Sequence, residues 1–389
     1  MPATGTRGTA SLSARKYDMA DVISLLDVNE YPLLAILTNA GKDPVTKQGK
    51  AMKKAETTDP NFRWYEDTIG PRNLTGEGTV DPDGGTLTLA TPGGTDLQVG
   101  DIVLVALQKW VFEVTALSSA TEVTVGAEIG GATGAAASAV GDVWIIGNAN
   151  EEGRGLRTIK GTTPTVKNGY CQIFRTPFGV TETAKNTKTL ITENDFDYQR
   201  RKKAILHMVD IERAFIFGKA SADTGTGTTH PVRLTGGVFE KITEYATANV
   251  DTEAEFETWL ESAFAYGNSE KYMFASAAVI SMINGWAKNK LQIMEKEKSY
   301  GLQIIRYISP HGIVNIIKHK LLTGTVFGNY GIMIDMEELT YRYLSNRDTK
   351  LLTNRQGNGD DERVDEYLTE CGLMMKQDKR HAEMSKSSL

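Results

Sequence analysis

The chain of 389 residues has little sulfur and little imidazole: two cysteines, Cys171 and Cys371, and five histidines, His207, His230, His311, His319 and His381. Two thiols cannot build a disulfide framework or a cysteine-rich zinc site, and both are expected to stay reduced. Only His311 and His319, which flank an expected strand, could meet, and no cluster of other ligand types lies near them. Ordinary packing or exposure is therefore expected of the histidines, not metal ligation. Proline is scarce, 11 against 38 glycines, so turns should be many and rigid linkers few. The longest stretch without a charge, residues 272–287, is 16 residues long and contains Ser, Asn and Gly. That is too short and too mixed to cross a hydrocarbon core of about 30 Å. The opening segment MPATGTRGTASLSARK carries Arg7, Arg15 and Lys16 but no apolar run. It does not read as a signal peptide, and the expected product is soluble and intracellular when made.

Catalytic signatures are missing too. There is no GxxxxGK[ST] phosphate cradle, no HExxH, no CxxC and no GxSxG elbow. GTGTTH at 225–230 lacks a third glycine and follows a helical pattern instead of a strand, so it reads as a plain loop. The carboxylate groups Glu66–Asp67, Glu151–Glu152 and Asp360–Asp361–Glu362 read as solvated surface. No catalytic, cofactor-binding or metal-binding residue is expected, and no cofactor.

What is present is a chain of ordinary globular composition, 40% hydrophobic and 24% charged, long enough for two or three packed units. Its net charge of −6 argues against coating nucleic acid as its main task. That charge is unevenly placed. Residues 81–150 hold eight acids and one base, Lys109, a balance of −7 that exceeds the whole. Such a break marks a separate module. The same segment shows short β-rich runs at 86–89, 102–105, 111–115, 122–125 and 143–146, separated by PDGG, PGGT and IGGATGAAASAVG. VGDIVLV at 99–105 is echoed by VGDVWII at 140–146. A small barrel or sandwich of about five strands is expected.

Elsewhere helices and strands mix without a βαβ rhythm, so the class is α+β. Residues 18–38 have helical periodicity broken at Pro32. The clearest helix runs over 193–217, with Ile205, Met208, Val209, Phe215 and Ile216 as its apolar stripe and Gly218 closing it. Shorter helices are expected over 252–266 and 276–291, and strands over 312–317, 331–335, 341–344 and 364–376. In the last of these Tyr367, Thr369, Cys371, Leu373 and Met375 share one face. Two basic runs stand out. RRKK, Arg200 to Lys203, spreads around the long helix and reads first as a solvated or ion-paired face, second as a contact for a packaged polyanion. KQGKAMKK at 47–54 could meet nucleic acid or a neighbouring subunit's acids.

The order of these parts resembles the major capsid protein of tailed bacteriophages, the Hong Kong 97-type fold, in a branch whose extended loop carries an inserted β domain. The resemblance runs from YPLLAILTNAGKDPVTKQGKAMKKAETTDPNFRWYEDT through GDVWIIGNANEEGRG and NGYCQIFRTPFGVTETAKNT into DYQRRKKAILHMVDIERAFIFGK, then TGGVFEKI and the strand-rich tail RYLSNRDTKLLTNRQ to DERVDEYLTECGLMMKQDKRHAEM. It implies an N-terminal arm and lead-in helices over 1–55 and an extended loop over 56–160 containing the insertion domain 81–150. A peripheral domain over 161–232 holds the spine helix 193–217. An axial domain covers 233–335, and return strands of the peripheral domain with the C-terminal tail cover 336–389. It further implies a structural protein, not an enzyme, that self-assembles through hexamers and pentamers into an icosahedral shell around double-stranded DNA. The implied partners are a separate scaffolding protein, a portal protein, a decoration protein and, non-specifically, the packaged DNA, with no membrane. The implied location is the virion, after assembly in the host bacterial cytoplasm. The short arm leaves no room for a fused scaffolding segment, so a separate scaffolding protein, or none, is implied. Two rival readings are an encapsulin-like compartment, which the large insert disfavours, and a carboxylate-based hydrolase.

Overall fold

A computed structural model describes residues 32–37 and 53–387, apart from 68–69, 71–72, 91–92, 133–137, 151, 154–156, 158, 160, 162, 188–194, 223–229, 287–290 and 293–303. The expected helix before Pro32, residues 225–229 of the expected loop, and Lys47 and Lys50 lie outside these residues, while His230 at the loop's end is exposed. The chain divides into two compact units, Tyr65–Thr165 and the remainder. Strands Asn61–Glu66 and Thr165–Tyr170, which pair with each other, lead out of the larger unit and back into it.

The larger unit is built on two sheets. In the first the order is Lys53–Thr57, Leu339–Leu344, Glu362–Met375, Gln172–Thr181, with Lys350–Leu352 also paired to Glu362–Met375. The long helix, Asp195–Phe217, lies on this sheet and at about 1.5 Å per residue is roughly 35 Å long. It stops at Gly218, where a Cβ would lie 2.2 Å from the Ala214 carbonyl oxygen and 2.5 Å from that of Thr235. The second sheet runs Ala246–Thr247, Ala382–Ser385, Tyr330–Ile334, Glu270–Ala275, Gly312–Lys318, Ile304–Ser309, Leu291–Gln292. Alternation along Glu270–Ala275 sends Tyr272 and Phe274 to one face and Met273 and Ala275 to the other. The first face joins Ile211, Phe215 and Ile216 of the long helix and Tyr341, Cys371 and Leu373 of the first sheet in one continuous core. The second packs on helices Glu253–Ala263 and Ala277–Trp286 through Phe256, Trp259, Leu260, Val279 and Ile283. Among the described residues no helix is long and apolar enough to cross a membrane.

The strand Glu362–Met375 departs from simple alternation, because both of its faces are covered. Its odd-numbered residues meet the helix side. On the other side Met374 packs with Phe62, Trp64 and Cys171, while Glu366 and Glu370, each 5% exposed, are neutralised by arginines. Arg175 grips Glu366 through Nε and Nη2, and Arg347 pairs with Glu370. Two acids therefore sit in a central strand at positions where an apolar–polar pattern would put solvent.

The smaller unit is a closed six-stranded barrel in the order Asp142–Asn148, Asn73–Glu77, Gly85–Leu89, Glu122–Val125, Trp110–Leu117, Asp101–Val105. Five of its strands cover the five β-rich runs. The sixth, Asn73–Glu77, lies ahead of the acidic segment and carries one apolar residue, Leu74, so hydrophobic patterning misses it. Gly76 closes the seam: its N–H donates to the Gly141 carbonyl at 2.7 Å, and a Cβ there would lie 2.2 Å from Val140 Cγ1. The echoed VGD segments are neighbours, paired antiparallel with Val105 opposite Val143 and Leu104 opposite Trp144. Leu87, Leu89, Val103, Val105, Phe112, Val114, Val123 and Val143 fill the interior, and closure leaves no free sheet edge.

Candidate assembly surfaces and buried anchors

Among the described residues no three His, Cys, Asp or Glu side chains gather in a metal-binding geometry. His311 and His319 stand at opposite ends of the strand Gly312–Lys318 and do not meet. His319 instead donates from Nε2 to Glu212 Oε1 at 2.8 Å, its Nδ1 accepting from the Leu321 N–H. His207 is wedged between the hydroxyls of Thr176 (2.8 Å) and Thr369 (2.7 Å), and burial holds its pKa below the ordinary value. Cys371 faces the main core, whereas Cys171 faces Phe62 and Trp64 on the opposite side of the sheet. The two thiols therefore point apart. Burial pushes the Cys171 thiol up to about 12, far from a reactive thiolate.

Three buried polar anchors hold the larger unit together, and the sequence reading named none of them as such. The first is Glu212, fully buried on the long helix. Its carboxylate accepts from the N–H groups of Leu33 (2.8 Å) and Leu34 (2.9 Å) as well as from His319. The short helix Pro32–Leu37 is thus pinned by its N-terminal N–H groups, which have no intrahelical partner. The available signal was an acid on the helix's own apolar stripe, three residues after Val209 and four before Ile216. The second anchor is Lys271, buried in the strand Glu270–Ala275. Its Nζ donates to the carbonyls of Ala263 (2.6 Å), Tyr266 (2.8 Å) and Arg380 (2.7 Å). It caps the C-terminal end of helix Glu253–Ala263, where a cation is favoured, and ties the C-terminal return to it. Burial lowers its pKa to about 8.

The third anchor is His381, whose Nδ1 accepts from the Asp335 N–H (3.2 Å) while Nε2 donates to the Lys376 carbonyl (3.1 Å). Burial lowers its pKa to about 4. Between about pH 6.5 and 4 the unfolded chain takes up a proton that the folded one refuses. Stability should therefore fall by about 3 kcal/mol as pH drops through that window. Glu383, on the adjoining strand, has its pKa raised to about 7 by burial. Its contribution has the opposite sign: it is present below about pH 4.5 and lost as pH rises through 7. The two slopes oppose each other in the parent. Glu383→Gln is expected to steepen the acid loss and His381→Gln to reverse it, as read from urea midpoints between pH 4 and 7.5. Parallel profiles for all three proteins would refute this.

On the surface, Arg200, Arg201 and Lys202 of the long helix are exposed and Lys203 is half-buried. Lys54 of the second basic run is occupied within its own chain, paired with Asp348 and placed over the rings of Tyr341 (5.4 Å) and Tyr343 (5.0 Å). The barrel carries an apolar row across its outer wall, Trp144–Leu104–Val111, in direct register over three strands. Trp144, Ile146 and Leu107 are 44%, 59% and 65% exposed. A row of this kind on an otherwise acidic body suits a protein–protein contact.

A long helix laid on a five-stranded sheet, a second sheet sharing its core, and a loop carrying its own barrel make up a Hong Kong 97-type capsid fold. A solved structure from Mycobacterium phage Adephagia covers 99% of this chain and 99% of its own, at 7% identity and a TM-score of 0.50. The family profile described as SU10 major capsid protein matches residues 3–387, and the chain belongs to that family. A curated relative, the major capsid protein of Pseudomonas phage PaMx41, is 22% identical over 232 residues, 56% of this chain. The chain spans about half, 55%, of that relative's length. An encapsulin of Synechococcus elongatus covers 57% of this chain and 75% of its own at 10% identity, with a TM-score of 0.42.

Proposed function

We propose that this protein is the building block of a viral head: its copies join as hexamers and pentamers into an icosahedral shell that encloses double-stranded DNA, with no catalytic role. The observation that carries this reading is the family match along almost the whole chain, from residue 3 to residue 387. The buried anchors support it, since they stiffen a tile and serve no reaction. The barrel's outer apolar row supports it as well, as a surface for adjacent subunits. Under this reading residues 161–232 and 336–379 form the peripheral domain, and 233–335 plus the extreme tail form the axial domain. A separate scaffolding protein, a portal and a decoration protein are the partners, and the virion is the destination after assembly in the host bacterial cytoplasm. The acidic barrel projects outward, where its charge keeps shells from sticking to one another and to nucleic acid.

Light scattering and electron microscopy of the purified chain, alone and with its scaffolding partner, test the proposal. Particles of megadalton mass are expected, with barrels on the outer wall and DNA inside when isolated from infected cells. A monodisperse species near 42.5 kDa under both conditions would overturn it. Shells holding a protein cargo instead of DNA would favour a compartment.

A further inference from the structure

Charge on the larger unit is handled in two ways. On and beside the first sheet four arginines are neutralised within the chain: Arg175 and Arg355 by Glu366, Arg347 by Glu370, Arg363 by Asp365. On the long helix, Asp210 is taken by Arg213 at 3.1 Å. Arg200, Arg201, Lys202 and Lys203 make no ion pair among the described residues, and the first three are exposed. At about 100° per residue the four spread around the helix; one face of the helix lies on the sheet and Lys203 is half-buried, so Arg200, Arg201 and Lys202 make up the exposed arc. The collar is also held firmly. Phe196, one turn earlier, packs on Phe178 with ring centroids 5.4 Å apart, and the Tyr367 hydroxyl donates to the Arg200 carbonyl at 3.3 Å.

We infer that this collar is a sequence-independent contact for the phosphate backbone of double-stranded DNA held inside the shell, an inference that rests on the shell reading above. Cations exposed along one arc of a rigid helix, with no exposed aromatic beside them among the described residues, suit phosphates met without regard to base sequence. The other available polyanion is the acidic barrel of a second copy. The collar fits it less well, because protein–protein interface cores are depleted of lysine and, among the described residues, Leu206, 36% exposed, is the one exposed large apolar side chain next to it in the helix.

The test uses the full chain with Arg200→Gln, Arg201→Gln, Lys202→Gln and Lys203→Gln combined, and a fluorescent random-sequence DNA duplex of about 30 base pairs read by anisotropy over a salt series. Binding about tenfold weaker at low salt is expected, with the slope of log affinity against log salt reduced by about 2. Arg200→Lys with Arg201→Lys keeps the charge and should keep the parent slope. Unchanged affinity and slope in the glutamine variant would overturn the inference. So would normal duplex binding combined with lost self-association, which would assign the collar to a second copy's acids. A parent chain that binds the duplex with the expected slope but builds no shell would remove the shell reading and leave the collar's contact standing.

Discussion

Replacing Glu212 by alanine is expected to lower stability by about 4 kcal/mol, the range for breaking a buried, fully hydrogen-bonded charged group. Three donors lose their acceptor at once: the N–H groups of Leu33 and Leu34 and Nε2 of His319. All lie inside the main core, where Leu33 and Leu34 are 1% and 4% exposed and water cannot replace the carboxylate. The damage should be local first. Proteolysis in the native state should cut near residues 32–37 well before the long helix opens, because this carboxylate is the polar tie between them. Glu212→Gln keeps the volume and one acceptor but turns an amide N–H towards a backbone N–H, so about half the loss is expected. Unchanged melting and unchanged proteolysis in the alanine variant would show that the apolar contacts of Leu33 and Leu34 hold the short helix by themselves.

Lys271→Met should cost about 3 kcal/mol. Methionine nearly matches the stem in volume, so the loss isolates the ammonium's three carbonyl bonds from packing. Two of those carbonyls, of Ala263 and Tyr266, end the helix Glu253–Ala263, and the third belongs to Arg380 in the C-terminal return. Without the cation the helix end and the return lose their common partner. Hydrogen exchange should then rise at both, although they are far apart in sequence. Lys271→Arg would not rescue, because the longer fork cannot fit a site that is 0% exposed. A methionine variant as stable as the parent would mean that desolvation of the ammonium already cancels its bonds, consistent with the lowered pKa.

Sequence alone determined much of this protein's organisation. Periodicity placed the long helix, whose structured extent is Asp195–Phe217, and the capped helix Glu253–Ala263, where Thr252 and Glu255 form a capping box. Patterning located five of the barrel's six strands. These features are local: a helix face, a cap or a run of β-branched residues is written within a few neighbouring positions. The order of elements carried the resemblance to tailed-phage capsid proteins, which the family match upholds. Tertiary structure alone decided the rest. Leu74 inside an otherwise polar Asn73–Glu77 became a barrel strand because two partners, Asp142–Asn148 and Gly85–Leu89, pair with it. Glu366 and Glu370 entered a central strand because arginines distant in the chain arrive beside them, and Lys54 was taken by Asp348 for the same reason. Glu212 and Lys271 became anchors because their partners lie on elements brought close only by the closing of the core. A buried charge is stable only where its partners converge, and convergence across such chain separations is a property of the fold that no local pattern records.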